Sequence, residues 1–413
     1  MPRSAPPTGF HGDCTAAGFG RYLRPRLRDD FVAELWDVSE PDFAGAVSTS
    51  GYGVEVNVTV VGSGNGGLAT AFDFAFHGHA VRLFDTPHFP DHVAEVSASG
   101  GIHANGVVEG FASIAYAGHD VETALDGVEL VVLVGPAYST VNQARVVAPH
   151  LVPGQAVLVC PASCAGAITF KRTAGLALDD EAITVGETST LPYAVRIVAP
   201  GRVNIFHKLA GGVLVAGLPR SGTARLLSMI QDVYPGTEAA ESVFQTTLQN
   251  GNPVIHPAVT LLNAGLIERT AGAFLFYEEG VTEAVGRAIE AVDRERLAIA
   301  DALGLRVVSD PELGVLQGYM REANYSTGYS TAPGFLGIGA QSQLDNRYLT
   351  EDVGYSLVFL TDLGRRVGVA TPTMEALITM ASVVLARDFR AEGARTLASL
   401  GLDDMSASDL AAL

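Results

Sequence analysis

Gly62-Ser63-Gly64-Asn65-Gly66-Gly67 and Asp85 carry the most explicit chemistry in this chain. The Gly-x-Gly-x-x-Gly spacing follows a β-branched run, Val58 to Val61, and opens an apolar stretch that reads as a helix over Leu68 to His77. In that context Gly62 permits a tight turn, Gly64 lets the backbone approach a pyrophosphate, and Gly67 lets the helix pack closely on a sheet. Unpaired N–H groups at the start of such a helix attract phosphate. Asp85 ends the next apolar strand, Ala80 to Phe84. It lies about twenty residues beyond the first glycine, where a carboxylate accepts hydrogen bonds from an adenosine ribose. Thr86, Pro87, His88 and Phe89 follow it. No Arg or Lys among them would take a 2′-phosphate, so the reading is NAD, with NADP left open.

Chemistry on a bound dinucleotide also needs a group that exchanges protons near neutral pH. His256 lies in Asn252-Pro253-Val254-Ile255-His256-Pro257, and histidine is the side chain whose ordinary pKa suits that task. By itself, a histidine between apolar residues and a proline reads equally as a satisfied core residue. Residues 324–352 form a long stretch rich in Tyr, Ser, Thr and Gly that ends in Arg347-Tyr348-Leu349-Thr350-Glu351-Asp352. Long loops of this kind are uncommon and usually functional or mobile. Tyr319, Tyr325 and Tyr329, in or just before it, could pack the loop or wall a substrate. Asp352 could cap the helix that follows.

The elements that must position these residues follow from periodicity. After Asp85, Val108 to Tyr116 reads as extended and Asp120 to Leu125 as a short helix. Val128 to Val134 is an apolar strand of the kind buried on both faces of a parallel sheet. Tyr138 to His150 reads as a helix, and Ala156 to Cys160, Ala182 to Val185, Val203 to Phe206 and Val213 to Leu218 as strands. The alternation defines a Rossmann-type, doubly wound α/β domain over residues 53–241. The pattern then turns helical: Glu279 to Leu303 carries an amphipathic stripe with Gly304 at its end, and Val353 to Val367 and Thr373 to Arg387 read as further helices. Residues 242–413 are therefore expected to form an all-α domain, with the site in the cleft between the two. Residues 1–52 stand outside this pattern as an N-terminal extension. A short helix near Asp30 to Asp37 and the aromatic pair Phe31 and Trp36 could dock on a second subunit, giving a homodimer; a disordered accessory segment is the alternative.

Bulk properties limit the partners. With 48% hydrophobic and 17% charged residues and a formal net charge of −19, the chain argues against nucleic acid or an anionic membrane as a partner. Three cysteines (Cys14, Cys160, Cys164) imply no disulfide framework, and Cys160-x-x-x-Cys164 lacks a second ligand pair, so no metal site is expected. No signal segment or membrane-length apolar run is evident, and the expected location is the cytoplasm.

From about Asn57 to Leu402 the chain resembles the opine dehydrogenases, the group that includes octopine and nopaline dehydrogenases. The resemblance rests on the glycine turn, on Gly186-Glu187-Thr188-Ser189-Thr190-Leu191-Pro192-Tyr193, on Asn252-Pro253-Val254-Ile255-His256-Pro257, and on Arg347-Tyr348-Leu349-Thr350-Glu351-Asp352-Val353. It implies reductive joining of an amino acid, or another amine, to a 2-oxo acid such as pyruvate, with NADH or NADPH. It also implies His256 as the catalytic histidine, Asp352 as its carboxylate partner and Arg347 as the grip on a substrate carboxylate. Such a carboxylate fixes the imidazole tautomer and stabilises the protonated ring, and an arginine fork suits a carboxylate. Glu187 and Ser189 could shape the cleft or simply form a strand-end turn.

Two positions depart from the family pattern. Tyr138, Ser139 and Thr140 stand where a histidine is expected after Pro136-Ala137, and Gly354 replaces a proline after Val353, which would loosen the helix start. Two other readings compete: a ketopantoate-reductase-like 2-oxo acid reductase using Lys208 as acid, and a catalytically silent NAD(H)-binding regulator.

Overall fold

A computed structural model describes residues 55–413; the expectations for residues 1–52 lie outside the described residues. The strand Asn57–Val61 sits inside an eight-stranded sheet. In sheet order the strands are Thr237–Ala239, Val213–Leu218, Thr184–Thr188, Ala156–Val159, Leu130–Leu133, Asn57–Val61, Ala80–Phe84 and Tyr116–Gly118. Neighbours run parallel except Thr184–Thr188 against Val213–Leu218. The chain leaves Asn57–Val61 toward one edge and returns to its other side at Leu130–Leu133, so the strand order reverses at the end carrying Gly62. That reversal opens a crevice, the usual ligand position in such sheets.

A second sheet was not anticipated. Gly110–Ser113, Gly101–Gly106, Arg202–Lys208 and Tyr193–Ala199 form four strands in that order. The expected strand Val203 to Phe206 belongs here rather than to the main sheet, and the extended segment Val108 to Tyr116 divides between both sheets. The helix Asn65–Phe76 touches strands of both sheets. Being covered on two sides explains why Leu68, Ala69, Phe72 and Phe74 are all buried and why it lacks a polar stripe. Its buried Asp73 is met by second-sheet groups: the Tyr193 hydroxyl donates to Asp73 Oδ2 at 2.6 Å, and Lys208 Nζ lies 2.7 Å from the same oxygen.

Beyond Ala239 the regular elements among the described residues are all helical, apart from one isolated bridge between Leu275 and Gly339. The long helix is Glu283–Leu303, capped by Thr282 and closed by Gly304 at φ 70°. Asn252–Leu262 packs against it and carries His256 on its buried face. The expected helix from Val353 instead begins as a π-helical turn, Asp352–Leu357, and continues as Val358–Val367. At Gly354 within this turn, a Cβ would lie 3.2 Å from the Phe389 ring, so the glycine fits a tight contact. The long loop is also more ordered than expected, with short helical segments at Thr327–Ser330, Pro333–Phe335 and Arg347–Thr350. Among the described residues, no helix is long and apolar enough to cross a membrane.

Candidate active site

The glycine turn is built as its spacing requires. Gly62 has φ 114°, and a Cβ there would meet the Val134 carbonyl oxygen at 2.2 Å. A Cβ on Gly67 would fall 1.8 Å from the Gly62 carbonyl oxygen, so the close approach expected of Gly67 is made to the turn itself. Gly64 differs: a Cβ there would find nothing within 4 Å. The space beside it opens into the cleft, and no side chain caps the helix it begins. Open room over an uncapped helix N-terminus fits a pyrophosphate. Gly66 lies beneath the Leu191 side chain.

Ser63 and Asn65 use their side chains internally. The Ser63 N–H and hydroxyl both donate to Asp85 Oδ2 at 2.7 Å, and the Thr86 N–H donates to Asp85 Oδ1 at 2.7 Å. Asp85 therefore ties the turn to the end of the second strand. Each carboxylate oxygen offers more than one acceptor site, so Asp85 keeps acceptor capacity for a ribose hydroxyl, although it is not itself among the residues that line the cleft. Asn65 Oδ1 accepts from the Ile197 N–H at 2.7 Å, fastening the helix start to the second sheet.

Across the cleft, the structure brings together two residues 96 positions apart. His256 Nδ1 lies 2.8 Å from Asp352 Oδ2, with both side chains nearly fully buried. A carboxylate partner places the hydrogen on Nδ1, which leaves Nε2 as an acceptor for the Tyr277 hydroxyl at 3.2 Å. The Tyr348 ring stacks on the imidazole at 3.9 Å between centroids and 19° between planes. Burial pushes the His256 pKa below the ordinary histidine value, while the Asp352 carboxylate opposes that shift. Burial likewise holds the Tyr277 phenol far above its usual range, so it stays a donor. Tyr277 was missed in the sequence; it lies in an aperiodic connection with no motif around it.

Arg347 completes the set. Its side chain is 53% exposed and lines the same cleft as His256 and the glycine turn, an opening of about 480 Å³. Its closest carboxylate is Glu351 at 3.9 Å, too long for a committed pair. Nearby carboxylates raise its pKa despite desolvation, so the guanidinium is charged and available. Glu351 itself accepts from the Ala137 N–H at 2.8 Å. That bond ties the Arg347 segment to the turn after Leu130–Leu133, where Tyr138 lines the cleft at the position that departs from the family pattern. Tyr319 also lines the cleft, whereas Tyr325 and Tyr329 are committed to Asp293 and Asp310.

Glu187 is fully buried and is not among the residues that line the cleft. It accepts from the Ala167 N–H at 2.7 Å and from the Thr246 hydroxyl at 2.5 Å, and burial pushes its pKa up to about 7. Ser189 shares a bond with Leu214 of the neighbouring strand, which makes it part of the strand end. Lys208, the acid of the competing reductase reading, is committed to Asp73 and is not among the residues lining the cleft. The nearby turn Ser163, Cys164 and Ala165 holds three consecutive non-glycine residues at φ 44°, 69° and 53°. Each such residue costs about 1–2 kcal/mol, so surrounding contacts must hold it.

A dinucleotide crevice facing a buried histidine–carboxylate pair and a free arginine defines a two-part, nicotinamide-dependent dehydrogenase. Comparisons with known proteins make that class specific. Residues 239–385 match the family described as NAD/NADP octopine/nopaline dehydrogenase, alpha-helical domain. The opine dehydrogenase of Arthrobacter sp. strain 1C is 34% identical over 354 residues, covering 85% of this chain and 96% of that protein. A solved octopine dehydrogenase in complex with NADH and agmatine superposes with a TM-score of 0.67 at 20% identity, over 80% of this chain and 90% of that one. A yersinopine dehydrogenase with NADP+ bound gives 0.62 at 15% identity, over 87% and 97%. The chain belongs to the opine dehydrogenase family. It is an NAD(P)-dependent oxidoreductase acting on CH–NH groups.

Proposed function

We propose that this enzyme joins the amino group of an amino acid, or another amine, to a 2-oxo acid such as pyruvate, reducing the resulting imine, and also runs the reverse oxidation. Residues 53–241 serve cofactor binding and residues 242–413 the substrates. The observation that carries the reading is the His256–Asp352 pair at 2.8 Å, facing the same cleft as Arg347 and the open side of Gly64. The relatives' own ligands, NADH with agmatine in one solved structure, support it by analogy.

In this reading the Gly64–Gly67 turn and Asp85 hold the dinucleotide, and the absence of a basic residue after Asp85 favours NAD. The bound cofactor supplies a hydride. Arg347 grips the 2-oxo acid carboxylate through paired N–H donors and fixes which face of the carbon is presented. His256 Nε2 exchanges the protons that accompany condensation and loss of water. Asp352 holds the Nδ1 hydrogen and stabilises the imidazolium whenever Nε2 carries a proton. Tyr277 keeps Nε2 aimed into the cleft between turnovers. The dyad favours imine chemistry over plain carbonyl reduction because Lys208 is committed elsewhere.

The test is NADH oxidation with pyruvate alone and with pyruvate plus a panel of amino acids and amines. Turnover that requires an amine supports the reading. Equal turnover with the 2-oxo acid alone would return the enzyme to the reductase alternative.

A further inference from the structure

We propose that Arg395 is a positioning residue for the reaction, locking together two cleft-lining turns on which Glu351, and with it Arg347 of the same short helical segment, depends. The inference rests on the assignment of Arg347 to substrate binding. Arg395 is 1% exposed and comes from the C-terminal segment, far in sequence from all its hydrogen-bond partners. One guanidinium nitrogen, Nη1, donates to three successive carbonyls, those of Ala162 at 3.1 Å, Ser163 at 2.6 Å and Cys164. The other, Nη2, donates to the Ala137 carbonyl at 3.2 Å and the Thr140 hydroxyl at 3.3 Å. A planar fork thus spans the turns after Leu130–Leu133 and Ala156–Val159, adjacent parallel strands of the main sheet.

Both turns reach the cleft through Pro136, Tyr138, Pro161 and Ser163. The second includes Ser163, Cys164 and Ala165 in the left-handed region, and the carbonyls of Ser163 and Cys164 converge on the cation. An interaction that satisfies those carbonyls offsets the backbone cost, and a rigid guanidinium does so from one fixed point. Glu351 faces both turns: it accepts from the Ala137 N–H at 2.8 Å, and the Ser163 side chain lies near enough to favour its charged form. No carboxylate among the described residues pairs directly with Arg395, although Glu187 and Glu351 lie near enough to favour its charge. The cation is therefore committed to backbone carbonyls and the Thr140 hydroxyl, and its geometric consequence is where Glu351 and the adjoining Arg347 sit.

Arg395→Lys isolates this role, because an ammonium can still reach the three carbonyls but cannot span to Ala137 and Thr140. The expected result is a folded protein with NADH affinity, from fluorescence titration, within about twofold of the parent. Its kcat/KM should fall about 10–100-fold, with KM for the 2-oxo acid raised, the scale for displacing a positioned group by about 1 Å. Hydrogen exchange should quicken at residues 135–140 and 161–166 and nowhere else. Retained kcat/KM, or a loss matched by equal loss of NADH affinity, overturns the proposal. Should the lysine variant fail to fold, Thr140→Val keeps Arg395 and removes one anchor; a several-fold loss with the same KM rise supports the role, and no change refutes it. Failure of the functional reading itself would show separately, as wild-type turnover that needs no amine; the variants are then read on the KM for the 2-oxo acid in that reduction.

Discussion

Replacing Asp352 with Asn removes a charge but keeps the shape of the partner 2.8 Å from His256 Nδ1. Burial already pushes the His256 pKa down, and the hydrogen bond and charge of Asp352 hold it up. A hydrogen bond to a charged partner contributes about 1.5–3 kcal/mol, and about 1.4 kcal/mol corresponds to one pKa unit. The imidazole should therefore titrate about one to two units lower in the variant. Reductive condensation uses the protonated ring, so its rate is highest at low pH and falls as pH rises through the His256 pKa. In Asp352→Asn that fall moves to lower pH, and the rate at neutral pH drops about 10–100-fold from protonation alone. Tautomer loss adds to this, because the Asn amide can donate to Nδ1 and turn the hydrogen to Nε2, so the total loss in kcat should reach about 100–1,000-fold or more. The oxidative direction uses the neutral ring, and its rising limb should move the same way. The assay is the pH dependence of kcat in both directions, with NADH titration as a control expected to stay within twofold. An unchanged profile and kcat would reduce Asp352 to a helix cap and refute the reasoning.

Arg347→Lys should raise KM for the 2-oxo acid about 10–100-fold with a smaller effect on kcat, since an ammonium loses the paired donor geometry; steady-state kinetics decide, and an unchanged KM removes Arg347 from substrate binding. Gly64 has φ −74° and free space around its missing Cβ, so Gly64→Ala should melt like the parent yet bind NADH at least about tenfold more weakly, as the added methyl takes ligand space. Gly67→Ala meets backbone at 1.8 Å and should lower Tm by several degrees; the opposite ranking of the two in a melt would contradict the turn geometry. Glu187 retains its proton up to about pH 7 in the folded chain, so its stabilising contribution is full below the ordinary glutamate pKa and is lost as pH rises through about 7. Across that window the wild type should lose up to roughly 3 kcal/mol relative to Glu187→Gln; equal stability differences from denaturant melts at pH 4 and pH 8 would argue against a buried, protonated Glu187.

The glycine turn was legible because its chemistry is local: strand, tight turn and helix start are adjacent, and each glycine answers a contact within a few residues. The motif around His256 and the one ending at Asp352 were legible one by one and were paired only through the family resemblance, because their 2.8 Å meeting depends on packing between Asn252–Leu262 and the π-helical turn. Tyr277 gave no signal, because a tyrosine in an aperiodic connection resembles any half-apolar residue. The second sheet escaped notice for a different reason. Tyr193–Ala199 is only partly buried, and the Arg202–Lys208 strand pairs in parallel with residues near His103, about a hundred positions away. A search for continuous apolar runs passes over Tyr193–Ala199, and it finds Val203 to Phe206 without disclosing a partner so distant. Arg395 was invisible because an isolated arginine near a C-terminus reads as solvent-facing; only the convergence of carbonyls from two distant turns makes its burial tolerable.

The central claim is that the hydride ends on a carbon newly bonded to an amine nitrogen. NADH deuterated at both C4 positions, pyruvate and a 15N-labelled amine that supports turnover would test it most directly, with products resolved by mass spectrometry. The account predicts a secondary amine that carries both the deuterium and the labelled nitrogen in one molecule, formed in step with NADH consumption and absent with His256→Ala. Deuterium appearing in lactate, with the labelled amine returned unchanged, would contradict it.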